Sequence, residues 1–396
     1  MLAQMNVSQD PNPPPRPMIP AEPTDMRRMQ VHSAFNQLAI NMSAVFSAAF
    51  LLKLGLKPAQ VFLTYAAVFA LRVAMRPLIM PLLPMVGMRN MLIAGTVLIA
   101  IQYGCIAFVS GYDWTLLVYV LFTAFSNMLY WTLYHPVFAA AGETHNRGKQ
   151  LGARQSISAL TGILGPAISG YLLYYIGPWA AFGAANLIAL AAIWPLLSIA
   201  DYPVAKTAPP NAWRAGIMCT ALFFSDGFLW LGAGMAWSML LFERIGGRFD
   251  AYGLVLALAA IAGALASLTI GKSIDLGHGR KAVALSATLA AIVYAMRAMV
   301  GGNTLALLTV VVASTVLIHF YTPTFMTAYY NEAKKAPCTF RLQCLAETGW
   351  DAGAVLGCLS GAALLGQNFS LQTIIWLAMI PVVAEAVLLR RIYGRI

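Results

Sequence analysis

The sequence predicts an all-α membrane fold of twelve transmembrane helices in two six-helix bundles. Three observations predict it. The chain is 60% hydrophobic and only 10% charged, where soluble domains carry about 25% charged residues, so it lacks the polar surface that water requires. Its apolar stretches recur about twelve times at roughly 20 residues each, the helix length that crosses a ~30 Å hydrocarbon core. Landmarks of the first half also return in the second at a nearly constant offset.

The expected spans are 33–53, 57–83, 88–109, 112–138, 151–176, 178–200, 214–242, 250–273, 280–300, 303–328, 341–365 and 370–391. Ten-residue segments of alternating apolar and polar residues, the mark of a membrane barrel, do not recur. Residues 1–30 contain the run PNPPPRPMIPAEP. This stretch lacks the apolar core of a signal peptide and reads as a disordered, proline-rich cytoplasmic tail.

Basic residues orient the spans. With the N-terminus in the cytoplasm, 18 of the 25 Lys and Arg fall on the inner side. Four fall outside: Lys53, Lys57, Arg244 and Arg248. Arg72, Arg76 and Arg297 fall within spans. That asymmetry puts both termini in the cytoplasm. It accounts for the net charge of +11 by basic loops beside anionic lipid, with no nucleic-acid partner. None of the five cysteines lies in an outer loop, so no disulfide framework is expected.

The repeat is specific. Arg89 and Arg280 are 191 residues apart, as are Gly162 and Gly353, and Gly170 and Gly361. Tyr134-His135-Pro136-Val137-Phe138 returns as Tyr321-Thr322-Pro323-Thr324-Phe325, 187 residues on. Between the copies, residues 201–213 (DYPVAKTAPPNAW) read as a cytoplasmic linker. The bundles are then 31–200 and 214–396. Parallel repeats of this kind occur in transporters, with the substrate site between the halves. The two Y-x-P-x-F copies read as inherited gate-end structure, each proline bending or ending its helix.

One loop sharpens the assignment. Gly271-Lys-Ser-Ile-Asp275-Leu-Gly-His-Gly279-Arg280-Lys281 joins the eighth and ninth spans. It resembles the cytoplasmic loop motif of the major facilitator superfamily, with one extra residue between the Asp and the Gly. The corresponding 2–3 loop, MPLLPMVGMRNML, has Pro84 in place of the Asp and keeps only Gly87 and Arg89. The resemblance covers residues 31–396 and implies an alternating-access secondary transporter. It also assigns gate roles to Gly271, Asp275, Gly279 and Arg280. An Asp at a helix end can accept from the free N–H groups that start a neighbouring helix. Asp275 is therefore expected to latch onto the start of the fifth span, where Arg154 adds a charge-assisted bond. Gly152, Gly165-Pro166 and Gly170 resemble the fifth-helix motif of drug–proton antiporters, and close helix packing explains them equally. The fourth span lacks the Arg those antiporters carry there.

Ionisable residues in spans are the functional candidates, since placing one there costs at least ~2.5–3.5 kcal/mol. Asp226 is near the midplane of the seventh span and is the first candidate for proton coupling, with Arg72 as a partner across the halves. Glu347 and Asp351 share one helix face. They suit proton carriage, because two close carboxylates do not both stay ionised, and suit binding of Arg or Lys at the gate equally. Glu385, near Arg390 and Arg391, reads as structural. Arg72 and Arg76 favour an anionic group if they face the cavity. Asn36, Asn41, Asn127, Trp131, Tyr134 and Trp230 complete the expected substrate-binding set with Arg72 and Asp226. His135 reads as structural.

No nucleotide-binding glycine loop, zinc-protease or nucleophile-elbow motif is present, so no enzyme is expected. The expected function is secondary active transport of a small organic solute, anionic or amphiphilic, coupled to protons. The protein is expected in a bacterial inner membrane as a monomer, without cofactor or bound metal. Two alternatives stand beside this reading. One is a non-transporting receptor or scaffold. The other is a copper importer built on the methionines, Met235 and Met239 foremost, although methionine is also an ordinary apolar filler.

Overall fold

A computed structural model describes residues 23–142, 147–202, 207–274 and 279–394. In these residues twelve helices follow one another and no strand occurs. They are α1 (Pro23–Lys53), α2 (Pro58–Val86), α3 (Met88–Ala107), α4 (Trp114–Ala141), α5 (Arg147–Tyr175) and α6 (Pro178–Leu196). Then come α7 (Arg214–Arg244), α8 (Phe249–Ile274), α9 (Gly279–Met299), α10 (Thr304–Lys335), α11 (Thr339–Gly366) and α12 (Leu371–Tyr393). Eleven are long and apolar enough to cross a membrane, and α8 carries a shorter apolar stretch, Phe249–Leu265.

Helices are what such a chain must form, because lipid offers no partner to a backbone N–H or C=O. Their starts are marked by local chemistry. Asp113 accepts from the Thr115 N–H at 2.8 Å, Asn303 from Ala306 at 3.0 Å and Ser370 from Thr373 at 3.3 Å. Pro58 and Pro178 open α2 and α6, where a missing N–H is harmless. Pro136 and Pro323 lie inside unbroken α4 and α10, so of the bending or ending expected from the sequence, ending does not occur in either Y-x-P-x-F copy. Neighbouring helices let a membrane helix carry an internal proline. In α7, Leu229–Gly234 widens into a π-helical turn directly after Asp226, a feature that clusters at functional sites.

Helix α1 begins at Pro23, earlier than expected, so residues 23–30 belong to the helix. Asp25 explains the extension. It is buried, accepts from the Ala200 N–H at 2.9 Å and the Tyr202 hydroxyl at 3.0 Å, and pairs with Arg28 at 3.0 Å. At the same face Asp201 accepts from the Arg89 N–H at 3.0 Å, at the start of α3. Gly87 precedes α3 at φ +84°, and a Cβ there would run into the Asp201 carboxylate. The degraded 2–3 loop thus takes its carboxylate from the chain that follows α6, in the absence of one at Pro84. Asp275 lies outside the described residues, as do residues 1–22. Gly271, Gly279 and Arg280 fall within the bounds of α8 and α9.

The halves join along two seams, α2 against α11 and α5 against α8. The seams obey the repeat. A Cβ on Gly170 would stand 3.0 Å from Gly253 Cα, and one on Gly361 would stand 2.8 Å from the Phe62 ring. Gly170 and Gly361 are 191 residues apart, and so are Phe62 and Gly253. Gly165 sits against Asn41 of α1. The fifth-helix glycines thus lie at helix contacts. In the second half α7 and α11 touch backbone to backbone, with Gly227 against the Trp350 carbonyl and Gly353 against the Phe224 carbonyl. An apolar cluster including Phe46, Phe62, Tyr119, Phe182, Phe242 and Tyr252 fills the end of the bundle remote from Pro23. Lys53 donates to the Gly247 carbonyl at 3.3 Å across that end.

Candidate functional site

On the other side of this apolar plug, toward the face where α1 starts, a cavity of about 350 Å³ opens between α2, α4, α7, α10 and α11. That volume suits a small organic ligand. Four of the expected residues line it on different helices: Arg72, Trp131, Asp226 and Glu347, joined by Trp230. Further aromatic wall comes from Phe223, Tyr321, Phe325, Tyr329 and Trp350. His135, read as structural from the sequence, also lines the cavity and stacks on Trp131 with ring centroids 5.8 Å apart.

Asp226 is placed here by α7, whose close contact with α11 brings Trp350 alongside. The Trp350 indole N–H donates to Asp226 Oδ2 at 2.8 Å, and the Tyr321 hydroxyl donates to Oδ1 at 2.6 Å. Both donors are neutral. Among the described residues Asp226 forms no ion pair. The expected pairing with Arg72 is therefore corrected. Arg72 turns to α11 because two carboxylates wait there on one face. Its Nη2 stands 2.9 Å from Asp351 Oδ1 and 3.4 Å from Glu347 Oε2. Arg76, one turn along the same face of α2, pairs with the other Asp351 oxygen and donates to the Cys344 carbonyl at 3.4 Å. All four side chains are buried. Glu347 also accepts from the Gln343 amide at 2.9 Å, and Gln343 in turn accepts from the Tyr329 hydroxyl. Two i, i+4 pairs of opposite charge thus clasp across one seam. The Arg72 guanidinium further lies 5.0 Å from the Phe69 ring centre and 5.8 Å from that of Trp350.

The remaining expected residues lie behind the wall. Asn127 accepts from the Trp131 indole at 3.2 Å and donates to Gln102 at 2.8 Å, which fixes Trp131. Tyr134 is buried and donates to Ser33 at 3.2 Å. Asn41 donates to Thr161 of α5 at 3.3 Å. Asn36 is fully buried with neither amide atom hydrogen-bonded. Arg154 lies over the Tyr134 and Phe138 rings, 5.4 Å from each, at the face where α1 begins. Glu385 is buried against Tyr321, while Arg390 and Arg391 are exposed. Met235 and Met239 are buried in the apolar plug. Among the described residues no cluster of three His, Cys, Asp or Glu side chains could hold a metal.

The sequence carries the same signature. Residues 33–335 match the Major Facilitator Superfamily model. The chain belongs to the Major Facilitator Superfamily. Transporters of known structure share the fold at low sequence identity. The human organic anion transporter MFSD10 (TETRAN) superposes with a TM-score of 0.64 at 14% identity, covering 92% of this chain and 100% of that one. The POT family transporter PepTSo gives 0.67 at 10% identity, covering 95% and 98%. The nucleoside transporter NupG gives 0.62 at 13% identity, covering 93% and 98%. No curated protein matches by sequence. Superfamily membership makes the chain an integral, multi-pass membrane transporter of a small-molecule substrate, and not an enzyme.

Proposed function

We propose that the protein is a proton-coupled secondary active transporter that moves a small amphiphilic organic solute by alternating access. One observation carries this reading: a carboxylate, Asp226, faces the central cavity and is held by neutral donors, Tyr321 and Trp350 foremost. An ionised carboxylate in the membrane interior is expensive without a cation. A proton or the cationic part of a substrate would remove that cost. The tryptophan, tyrosine and phenylalanine wall supplies apolar area with polar tips, which suits an amphiphile. An anionic substrate would have to compete with Glu347 and Asp351 for Arg72, so the amphiphilic alternative is preferred. The same pairing assigns Glu347 and Asp351 to holding α2 against α11 and leaves Asp226 as the proton carrier.

The gate at the face where α1 begins is assigned to Arg154, which sits among the aromatic side chains of α4. Asp275 and its loop join it on sequence grounds. The basic residues favour placing this face in the cytoplasm. The protein would then function as a monomer in a bacterial inner membrane.

The test is uptake into proteoliposomes. A panel of aromatic amines, zwitterions and carboxylates is offered with an imposed pH gradient, then again with a protonophore. Gradient-dependent accumulation of an amphiphile is expected. Uptake that the protonophore leaves unchanged, for every compound carried, rejects proton coupling.

A further inference from the structure

Tyr321 joins a half-buried acid that faces the cavity to a buried one that does not. Its hydroxyl donates to Asp226 on α7. It is also the polar neighbour of Glu385 on α12. Glu385 is 3% exposed, and its Oε1 has no hydrogen-bond partner. A space of about 10 Å³ beside it is lined by Tyr321 and Ser286 as well as by Glu385. That is close to the room one water needs. Among the described residues the groups facing Glu385 are few. From α7 there is Asp226, from α10 Tyr321, and from α9 Tyr294. Arg297, the cation beside Tyr294, is engaged elsewhere. Its Nε donates to Ser314 at 2.8 Å, and its guanidinium lies over the rings of Tyr294 and Trp237 at 4.8 and 5.2 Å.

We propose that Glu385 is a second, sealed proton site, linked to Asp226 through the Tyr321 hydroxyl. The proposal rests on the reading of Asp226 as a proton carrier and deepens it. A tyrosine hydroxyl holds one proton. While that proton is donated to ionised Asp226, the tyrosine oxygen can only accept. Glu385 must then be the protonated partner, donating directly or through one water. In the exchange step the Tyr321 O–H bond breaks and the proton joins Asp226. The Glu385 O–H bond breaks in turn, and its proton restores the tyrosine. Asp226 ends neutral and Glu385 ends as the carboxylate. No proton is gained or lost and no other reactant is needed. One negative charge is thus shared between the cavity and a site behind it, out of the substrate's reach.

Infrared difference spectroscopy tests this with the proton as the only probe. The protein in lipid membranes is titrated with acid, and the C=O stretches of protonated carboxyl groups are followed. Wild type is expected to show bands for both acids. Asp226→Asn and Glu385→Gln should each remove one band. Each should also move the other acid's midpoint by about one pH unit, a tenfold change in proton affinity. The Tyr321→Phe background should shrink that mutual shift. Glu385→Gln that leaves every band in place overturns the proposal, as does a mutual shift undiminished by Tyr321→Phe. Should Glu385→Gln fail to fold, Tyr321→Phe alone decides. It keeps both acids, their midpoints must move, and unchanged midpoints overturn the proposal. A band assigned to Asp226 that ignores Glu385 overturns the relay alone. If no band answers to Asp226→Asn, the proton-carrier reading of Asp226 falls and takes the relay with it.

Discussion

Arg72 of α2 and Asp351 of α11 stand 2.9 Å apart across a seam between the two halves. Both are buried, and Arg76 and Glu347 complete the cluster. Removing one member of a buried ion pair strands the other, at a cost of about 3–5 kcal/mol. Asp351→Ala is therefore expected to lower the melting temperature of the purified protein clearly, leaving two arginines to share Glu347. Thermal unfolding in detergent measures it. A melting curve superimposable on wild type would show that the cluster contributes nothing to holding the seam.

Two helix glycines, Gly353 of α11 and Gly183 of α6, give a contrast between crowded and open positions. A Cβ on Gly353 would meet the Phe224 backbone carbonyl, which cannot move aside without shifting α7. Gly353→Ala should destabilise by about 1–3 kcal/mol through overpacking. Gly183, inside α6, has nothing within 4 Å of where its Cβ would be. Gly183→Ala should be neutral or stabilising by up to ~1 kcal/mol, since alanine is the better helix former. Equal melting temperatures for the two variants would contradict the close α7–α11 contact.

Orientation is open to chemical labelling. In a background without the five native cysteines, Lys57→Cys and Arg244→Cys place a thiol at either side of the proposed outer face, and Lys335→Cys places one at the inner face. All three positions are exposed. A membrane-impermeant maleimide applied to intact cells should label the first two and spare the third. The reverse pattern would invert the topology.

Much of this architecture was legible in the sequence, because lipid imposes length and polarity with few exceptions. The spans follow from that, while the 191-residue offset and the superfamily motif are read directly from matching residues. The site was legible in part. Asp226, Arg72, Trp131 and Glu347 stand out as polar or amphipathic residues in apolar runs, and they do line one cavity. Their pairing was harder to read. Arg72/Arg76 and Glu347/Asp351 are each an i, i+4 pair, but only the α2–α11 contact decides that they meet each other and not Asp226. Tyr321 is visible within its Y-x-P-x-F copy, where the pattern points to gate structure and not to a contact with Asp226. Its sequence counterpart Tyr134 is buried on Ser33, so the repeat preserved the motif while the two copies diverged in contact. Asp275 falls in a stretch the structure does not describe, so its latch stands on the motif alone.

Asp226→Asn separates substrate binding from proton coupling. The amide keeps the shape of the side chain and remains able to accept from the Tyr321 hydroxyl. It cannot ionise, so it imitates a carrier permanently loaded with its proton. Alternating access requires the acid to release that proton on one side and regain it on the other. A variant fixed in one state can still bind substrate and reorient with it. It cannot couple the cycle to the gradient. Each pH unit across the membrane is worth about 1.4 kcal/mol per proton, which is at most a tenfold accumulation. Asp226→Asn should lose that accumulation while keeping exchange of labelled for unlabelled substrate near the wild-type rate. Asp351→Asn should instead impair both, because it loosens the α2–α11 seam. Both measurements use proteoliposomes loaded with whichever compound the uptake panel identifies. Normal gradient-driven accumulation by Asp226→Asn would remove Asp226 from the coupling mechanism and return attention to Glu347.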